Sequence, residues 1–269
     1  MKIEKVTGQC GALLSEVNLA TLSDAEFDAV QEALWTHGVI FFRGQELSCE
    51  DHIAFAERWA EIDVNRFFTP VEGFPKIAEV RTPPSAKAVI GGTWHTDHSY
   101  DAEPAAASIL VARKVPPYGG DTCFSSMTAA VKALSPGLRE MLEGLSAWHS
   151  DASFGDSVFE GIDNAKMGST VLQPVIAQHP ESGAAALYVN GDFTTHFEGW
   201  SREESAPLLE YLYRFATQPA FQCRFSWEEG SVAMWDNRLV QHFAVADYSG
   251  HERVMHRITI KGSALAGVK

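Results

Sequence analysis

The sequence predicts a mainly β fold with flanking helices. Short apolar runs occur in clusters joined by short turns, not in regular alternation with helices. This spacing favours an antiparallel sheet over a doubly wound parallel sheet. The 269 residues are 45% hydrophobic and 21% charged, as in ordinary globular proteins, and no repeat or low-complexity tract divides the chain. We therefore expect one domain over residues 1–269 with a sizeable buried core.

Two helices are expected near the N-terminus. Ser23 and Glu26 form a capping-box pattern ahead of an amphipathic run over about 24–37, and Ser48 and Asp51 repeat it ahead of HIAFAERWAEI. Such a pattern satisfies backbone amides that the first helical turn leaves free, so it marks where a helix begins. Weaker helical patterns lie at 126–145 and 202–216.

The expected strands are apolar runs bounded by turn residues. They read GVIFFR (38–43), KIAEV (76–80), ASILVAR (107–113), ALYVN (186–190), SVAMW (231–235) and RVMHRITIK (253–261). Two segments, 83–93 and 150–170, have weak periodicity and much Gly, Ser, Pro or Asp, which indicates loops. Long loops are often functional, and 153–170 is a candidate lid over a site.

Charge and cysteine content narrow the function classes. Twenty-one basic and 35 acidic residues give a net charge of −14, which disfavours nucleic acid and anionic membranes as partners because both bind basic surfaces. The four cysteines are widely spaced without a CxxC pair, which argues against a disulfide scaffold and favours a reducing compartment. The N-terminal segment lacks an apolar signal core, and no apolar stretch approaches the roughly 18 residues of a membrane helix, so we expect a cytoplasmic location.

The segment TWHTDHSY, at 93–100, carries the strongest chemical signal. His95 and Asp97 are two residues apart, so on an extended strand their side chains point to the same face. They are potential ligands of a divalent transition metal, although a bare HxD also arises in hydrogen-bonded turns. His242, in WDNRLVQHFAVADY, is the best candidate for a third ligand. Two histidines and one carboxylate form the facial triad of non-haem Fe(II) oxygenases.

Two arginines follow the third candidate ligand. Arg253 lies 11 residues after His242, and Arg257 lies four residues further on. The even separation of the arginines puts both on one face of a strand. Buried guanidinium groups bind carboxylates or sulfonates through paired hydrogen bonds. The alternative is that both are surface cations that pair with the acidic excess.

Four segments together resemble the taurine dioxygenase / 2,4-dichlorophenoxyacetate dioxygenase (TauD/TfdA) family. They read WHTDHSY, PPYGGDTCF, ALYVN and WDNRLVQHFAVADYSGHERVMHRITIKG, and the similarity extends from about Gly38 to Gly262. The resemblance implies a double-stranded β-helix (jelly-roll) core. It also implies an Fe(II)- and 2-oxoglutarate-dependent dioxygenase that hydroxylates its substrate and releases succinate and CO2. Relatives assemble as dimers or tetramers, so a homo-oligomer is expected.

The resemblance also implies a role for each site residue. The matches to the iron ligands are His95, Asp97 and His242. Thr122 and Arg253 match residues that bind the distal carboxylate of 2-oxoglutarate, and Arg257 matches an arginine that holds the acidic group of the substrate. Asp97 indicates hydroxylation, since halogenating relatives replace this carboxylate with a small residue. Desaturation, epimerisation and ring formation stay open.

The segment NRFFTPVEG departs from the pattern of taurine dioxygenases. Asn65 and Phe68 stand where those enzymes have a histidine and a tyrosine in the substrate pocket, and Gly91 replaces an asparagine. The pocket thereby loses polar donors and gains an aromatic wall, so taurine itself is not the expected substrate. We expect an anion with a bulkier or more apolar body: an aryloxyalkanoate, an alkyl sulfonate or sulfate ester, or an acylated amino acid. The alternative is that Phe67 and Phe68 are core residues.

A second function class stays open beside the dioxygenase. A jelly-roll protein that binds zinc or no metal, and that only binds a small acid, would share the fold, since fold alone does not imply function. Thr122 and the arginine pair favour the dioxygenase, because a plain metal-binding module has no need of them. His256, between the arginines, is expected to face away from the cavity.

Overall fold

The computed structural model describes residues 1–86, 89–152 and 168–268. Its helices are α1 (Asp24–His37), α2 (Cys49–Glu57), α3 (Met127–Ala133), α4 (Pro136–Glu143) and α5 (Arg202–Ala216). Its strands are β1 (Lys2–Lys5), β2 (Ala12–Ser15), β3 (Val39–Phe42), β4 (Ile62–Asp63), β5 (Pro70–Val71), β6 (Phe74–Thr82), β7 (Ala107–Lys114), β8 (Thr122–Ser126), β9 (Ser146–Ser150), β10 (Thr170–Pro174), β11 (Ile176–Gln178), β12 (Ala185–Leu187), β13 (Thr194–Phe197), β14 (Gln222–Phe225), β15 (Val232–Asp236), β16 (Val240–Ala244), β17 (Arg253–Ile260) and β18 (Ala266–Gly267). Among the residues described, no helix has the length and apolar character needed to cross a membrane.

A large sheet forms the main layer of the fold. Its strands lie in the order β1-β2-β3-β15-β7-β17-β6-β5, and β4 also pairs with β17. Strands β2 and β3 run parallel, whereas β15, β7, β17 and β6 pair antiparallel with their neighbours. A smaller sheet has the order β14-β8-β16. The predicted antiparallel architecture is therefore confirmed.

Successive residues of β15 show how the layers pack. Val232 and Met234 join a core cluster with residues of α1 and α2, whereas Ala233 and Trp235 join a cluster that includes Phe124 of the small sheet. Alternate side chains of a strand point to opposite faces, so the large sheet is covered by helices on one face and by the small sheet on the other. Two sheets that share one core are the arrangement of a jelly roll.

The helix ends agree with the capping signals, with one difference. The Ser23 hydroxyl accepts from the Glu26 amide, the Glu26 carboxylate accepts from the Ser23 amide, and Gly38 ends α1 with a φ of 74°. Helix α2 ends earlier than the run HIAFAERWAEI suggests. The last residues of that run reach the large sheet, where Ile62 pairs with Ile260.

The six predicted strands all occur, and β12 is shorter than expected. The strand ends at Leu187, and in the turn at 191–193 the amides of Asp192 and Phe193 donate to Asn190 Oδ1. The helical pattern at 126–145 is two helices, because Pro136 begins the second one. The small polar-rich strands β8 and β16 were not predicted, although both carry site residues. Most of the candidate lid, residues 153–167, lies outside the described residues.

Candidate active site

The three predicted metal ligands lie together between the two sheets. His242, on β16, forms an isolated antiparallel bridge with His95, in which the two backbone hydrogen bonds are 3.1 and 2.9 Å long. His95 Nε2 lies 3.6 Å from Asp97 Oδ1, and His242 Nε2 lies 3.7 Å from Asp97 Oδ2. The potential ligand atoms of the three residues are all within 4.8 Å of one another.

The protonation of these residues suits a divalent cation. His95 Nδ1 lies 2.8 Å from the carbonyl oxygen of Thr93, which can only accept, so Nδ1 carries a proton and Nε2 is the nitrogen that faces the candidate site. Burial lowers the pKa of His95, but the hydrogen bond and the negative charge of Asp97 outweigh burial and raise this pKa, so a divalent cation would take the place of a proton on Nε2. Burial and the neighbouring His95 hold the pKa of His242 well below its ordinary value. Burial alone would raise the pKa of the Asp97 carboxyl, but Arg257 and the two histidines lower it well below its usual range. The residues therefore fit the 2-His-1-carboxylate set that binds Fe(II).

A cavity of about 500 Å³, including its mouth, opens beside the ligands. Its polar wall contains Thr122, Arg253 and Arg257, and its apolar wall contains Phe68, Val80, Ile90 and Leu110. The two arginines are four residues apart on β17, and both face the cavity as the strand periodicity predicts. The structure thus brings together the candidate metal ligands, the candidate 2-oxoglutarate residues and Phe68.

Thr122 and Arg253 form one polar corner of this cavity. Thr122 pairs with Ala244 on β16, two positions from the pair that contains His242. The Trp227 indole donates to Thr122 Oγ1 over 3.0 Å, so the hydroxyl proton of Thr122 is available to another acceptor. Arg253 is 5% exposed, and its Nε and Nη2 have no hydrogen-bond partner in the described part of the chain. Burial lowers the pKa of Arg253.

These features of the corner suit a carboxylate. A buried guanidinium with unused N–H groups is energetically costly until an anion binds it. The hydroxyl of Thr122 adds a neutral donor at the same place. The residues present therefore fit the distal carboxylate of 2-oxoglutarate.

Asn65 has a different position from that expected. Its Oδ1 accepts from the backbone amides of Phe67 and Phe68, over 2.8 and 2.9 Å, and Asn65 is not part of the described cavity wall. It holds the turn that presents Phe68 to the cavity, while Phe67 is buried in a small aromatic cluster. Phe67 thus has the core position that the alternative gave to both phenylalanines, whereas Phe68 lines the cavity.

Gly91, which stands in place of an asparagine, has a φ of 73°, and a Cβ there would lie 3.0 Å from His95 Cε1.

Two histidines and one tryptophan that neighbour site residues in the sequence contact side chains other than the candidate metal ligands. His256 faces away from the cavity, as predicted, and its Nδ1 lies 3.1 Å from Arg113 Nε. His98 is buried beside Asp101, with 3.2 Å between His98 Nδ1 and Asp101 Oδ2. The ring of Trp94 packs against that of Phe243.

Sequence reasoning missed two hydrogen-bonded residues, Ser108 and Asn237, of which Ser108 contacts Asp97. Ser108 Oγ donates to Asp97 Oδ2 over 2.9 Å, and Asn237 Nδ2 donates to Ser108 Oγ over 3.1 Å. A serine at a fully buried position of the apolar run ASILVAR was a usable signal, because a buried hydroxyl needs a partner. Its partner could not be named without the tertiary structure.

Known proteins are similar to this chain over most of its length. The family model described as taurine catabolism dioxygenase TauD, TfdA family matches residues 2–259. The alpha-ketoglutarate-dependent sulfate ester dioxygenase of Pseudomonas putida is 34% identical over 280 residues, which cover 100% of this chain and 92% of that protein. The alpha-ketoglutarate-dependent 2,4-dichlorophenoxyacetate dioxygenase of Burkholderia sp. (strain RASC) is 35% identical over 245 residues, which cover 82% of this chain and 80% of that protein.

A solved structure extends the similarity to the whole fold. The crystal structure of a taurine dioxygenase from Burkholderia xenovorans superposes with a TM-score of 0.85 at 33% identity, covering 99% of this chain and 92% of that chain. At this identity the likeness concerns sequence as well as fold. From the family match over residues 2–259 and these relatives, we conclude that the chain belongs to the TauD/TfdA family of dioxygenases.

Proposed function

We propose that this protein is an Fe(II)- and 2-oxoglutarate-dependent dioxygenase that hydroxylates a small anionic organic substrate and releases succinate and CO2. One observation carries the proposal. A buried His95-Asp97-His242 set shares a cavity with two arginines, and one of them, Arg253, has unused N–H groups. A plain metal-binding module has no use for such an anion site.

Each group has a role in this reaction. His95, Asp97 and His242 would hold the iron, which with 2-oxoglutarate supplies the oxidising chemistry when bound. Arg253 and Thr122 would bind the distal carboxylate of 2-oxoglutarate. Arg253 is already desolvated in the folded protein, so binding an anion costs little further desolvation of the arginine, and the cosubstrate is oriented from its far end.

The apolar wall indicates what kind of substrate body the cavity accepts. Phe68, Ile90 and Leu110 offer apolar surface, and neither Phe68 nor Gly91 has a side-chain hydrogen-bond donor or acceptor. The short, polar body of taurine gains little from such a wall. We propose an anion with an apolar body, anchored by Arg257. An alkyl sulfate ester, an alkyl sulfonate, an aryloxyalkanoate and an acylated amino acid all meet this description.

Two of the relatives support that choice of substrate class. Their names give a sulfate ester and 2,4-dichlorophenoxyacetate as substrates. Both carry an anionic group, and the dichlorophenyl ring of the second is apolar. Among the classes above, the first to test are therefore alkyl sulfate esters and aryloxyalkanoates.

The test is succinate release with a panel of substrates. Metal-free protein is supplied with Fe(II), 2-oxoglutarate and hexyl sulfate, hexanesulfonate, 2,4-dichlorophenoxyacetate, an N-acyl amino acid or taurine. Hexanol is the matched compound without an anionic group. We expect Fe(II)-dependent succinate formation that rises with an apolar anion and not with hexanol or taurine.

Variants complete the experiment. His95→Ala and Asp97→Ala are expected to lose succinate formation, whereas His196→Ala, a histidine that contacts Thr195 outside the cavity, retains it. Binding of zinc and of 2-oxoglutarate with no succinate formation under any condition would instead support a non-catalytic small-acid binding protein.

A further inference from the structure

Four buried side chains form a hydrogen-bonded chain that ends at Asp97, one of the candidate metal ligands. Trp235 Nε1 donates to Asn237 Oδ1 over 2.8 Å, and Asn237 Nδ2 donates to Ser108 Oγ over 3.1 Å. Ser108 Oγ then donates to Asp97 Oδ2 over 2.9 Å. All four residues are at most 5% exposed, so water does not compete for these hydrogen bonds.

The direction of every hydrogen bond in this chain is determined. The Trp235 indole can only donate, so it holds the oxygen of the Asn237 amide and turns the NH2 group toward Ser108. Arg257 Nη2, also only a donor, lies 3.3 Å from Ser108 Oγ. Ser108 therefore accepts from both neighbours, and its single proton is directed at Asp97.

The supporting residues lie on regular structure, whereas Asp97 does not. Ser108 is on β7 in the middle of the large sheet and pairs directly with Trp235 on β15. Asn237 follows β15, and its amide donates to the Ala106 carbonyl over 2.9 Å. Asp97 lies in a turn between strands. The sheet thus provides a rigid support for a carboxylate whose own backbone segment is irregular.

Both donors contact the same carboxylate oxygen. Ser108 Oγ and Arg257 Nη2 lie 2.9 and 2.8 Å from Asp97 Oδ2. The other oxygen, Oδ1, lies 3.6 Å from His95 Nε2. The two hydrogen bonds therefore set the rotation of the carboxylate and direct Oδ1 toward His95, while Oδ2 lies 3.7 Å from His242 Nε2. A packing role does not explain Ser108, because alanine would fill nearly the same volume without a hydroxyl to satisfy.

We infer that Ser108 and Asn237 are positioning residues that hold the Asp97 carboxylate in the orientation needed by a divalent cation. This inference rests on the proposed function, in which Asp97 is a metal ligand. Asn237 acts through Ser108, and Ser108 acts on Asp97 directly. Removing an outer partner of this kind costs roughly 10- to 100-fold in metal affinity.

The test measures Co(II) affinity, because Co(II) gives a visible absorption band without enzyme turnover. Metal-free protein is titrated with Co(II) for the wild type, Ser108→Ala, Ser108→Thr, Asn237→Ala and the Ser108→Ala/Asn237→Ala double variant. We expect Ser108→Ala to weaken Co(II) binding about 10- to 100-fold. Ser108→Thr keeps the hydroxyl and recovers most of the affinity. The double variant binds no more weakly than Ser108→Ala, because Asn237 acts through the serine.

Ser125→Ala is the matched control. Ser125 is another fully buried serine, and its hydroxyl donates to the Ala216 carbonyl, away from Asp97. The Ser125→Ala variant should lower the melting temperature of the metal-free protein as Ser108→Ala does, but leave the Co(II) affinity within about twofold of the wild-type value.

Three results would overturn the inference. Wild-type affinity in Ser108→Ala would show that the hydroxyl does not position the carboxylate. Equal losses of affinity in Ser108→Ala and Ser125→Ala would show a general loss of structure. If the wild type itself binds no divalent cation, the proposed function fails first, and that outcome is distinct from the other two.

Discussion

Arg257 Nη2 lies 2.8 Å from Asp97 Oδ2, so one guanidinium connects the candidate substrate anchor to a candidate metal ligand. Both side chains are largely buried, at 12% and 6% exposure. An anion bound to Arg257 will therefore lie beside the metal ligands. The arginine also has a structural role, because Asp97 without it is a buried carboxylate with fewer partners.

We predict that Arg257→Met destabilises the metal-free protein by about 3–5 kcal/mol, because it removes the ion-pair partner of the buried Asp97 carboxylate and leaves the Ser108 hydroxyl as its donor. A bound divalent cation supplies positive charge at the same carboxylate, so the loss should be smaller with Co(II) present. Urea unfolding with and without Co(II) measures both values. An equal loss of stability with and without Co(II) would contradict the assignment of Asp97 as a metal ligand.

Arg253→Met is predicted to behave in the opposite way. Arg253 Nε and Nη2 have no hydrogen-bond partner in the structure described, so removal of the guanidinium should leave the free energy of unfolding of the ligand-free protein unchanged or higher. The thermal stabilisation by 2-oxoglutarate should disappear, and the KM for 2-oxoglutarate should rise by about 100-fold or more. Arg253→Lys keeps the positive charge but not the planar guanidinium, so its KM for 2-oxoglutarate should lie between those of the wild type and Arg253→Met. If 2-oxoglutarate still raises the melting temperature of Arg253→Met, the predicted role of Arg253 is refuted.

Phe67 and Phe68 are predicted to separate folding from substrate binding. Phe68→Ala removes apolar cavity wall and should raise the KM for an apolar anion about tenfold or more, with little change in the KM for 2-oxoglutarate. Phe67→Ala empties a core position and should cost about 3–5 kcal/mol of stability. Steady-state kinetics and urea unfolding of both variants distinguish the two roles. The prediction fails if Phe68→Ala affects both KM values equally.

Asn65 offers a test between a direct and an indirect role. If its Oδ1 only caps the amides of Phe67 and Phe68, Asn65→Asp keeps the acceptor and should bind the anionic substrate nearly as well as the wild type. Asn65→Ala should lose about 1 kcal/mol of stability and raise the substrate KM in the direction of Phe68→Ala. Loss of substrate binding in Asn65→Asp alone would show that the side chain contacts the anion itself.

His52 is predicted to make the protein sensitive to acid. Burial holds the pKa of His52 at about 3, while an unfolded histidine titrates near 6.5. Between these values the unfolded chain binds a proton that the folded protein does not, so stability falls as the pH decreases through this window. The contribution at pH 5 is about 2 kcal/mol relative to neutral pH.

The measurement for His52 is urea unfolding at pH 7.5 and pH 5. His52→Met should reduce the difference between the free energies of unfolding at the two pH values by about 2 kcal/mol. His149, whose pKa burial also lowers to about 3, keeps a similar dependence in the variant. An unchanged pH dependence in His52→Met would contradict the prediction.

The local sequence was sufficient to predict much of the fold and the types of residue in the site. Capping side chains placed the start of α1, and the period of two residues placed both arginines of β17 on one face. These features depend on neighbours a few positions away. Short strands such as β8 and β16 escaped prediction because few residues carry the pattern and packing decides them.

The tertiary structure decided which side chains contact one another when they are distant in the sequence. Ser108 and Asn237 are 129 residues apart, and only the register of β7 with β15 brings them together behind Asp97. The same holds for Asn65, whose carboxamide caps a turn instead of facing the cavity. A hydrogen bond requires atoms to be placed within a few tenths of an ångström. Strand register and sheet packing supply that placement, and residue type alone does not.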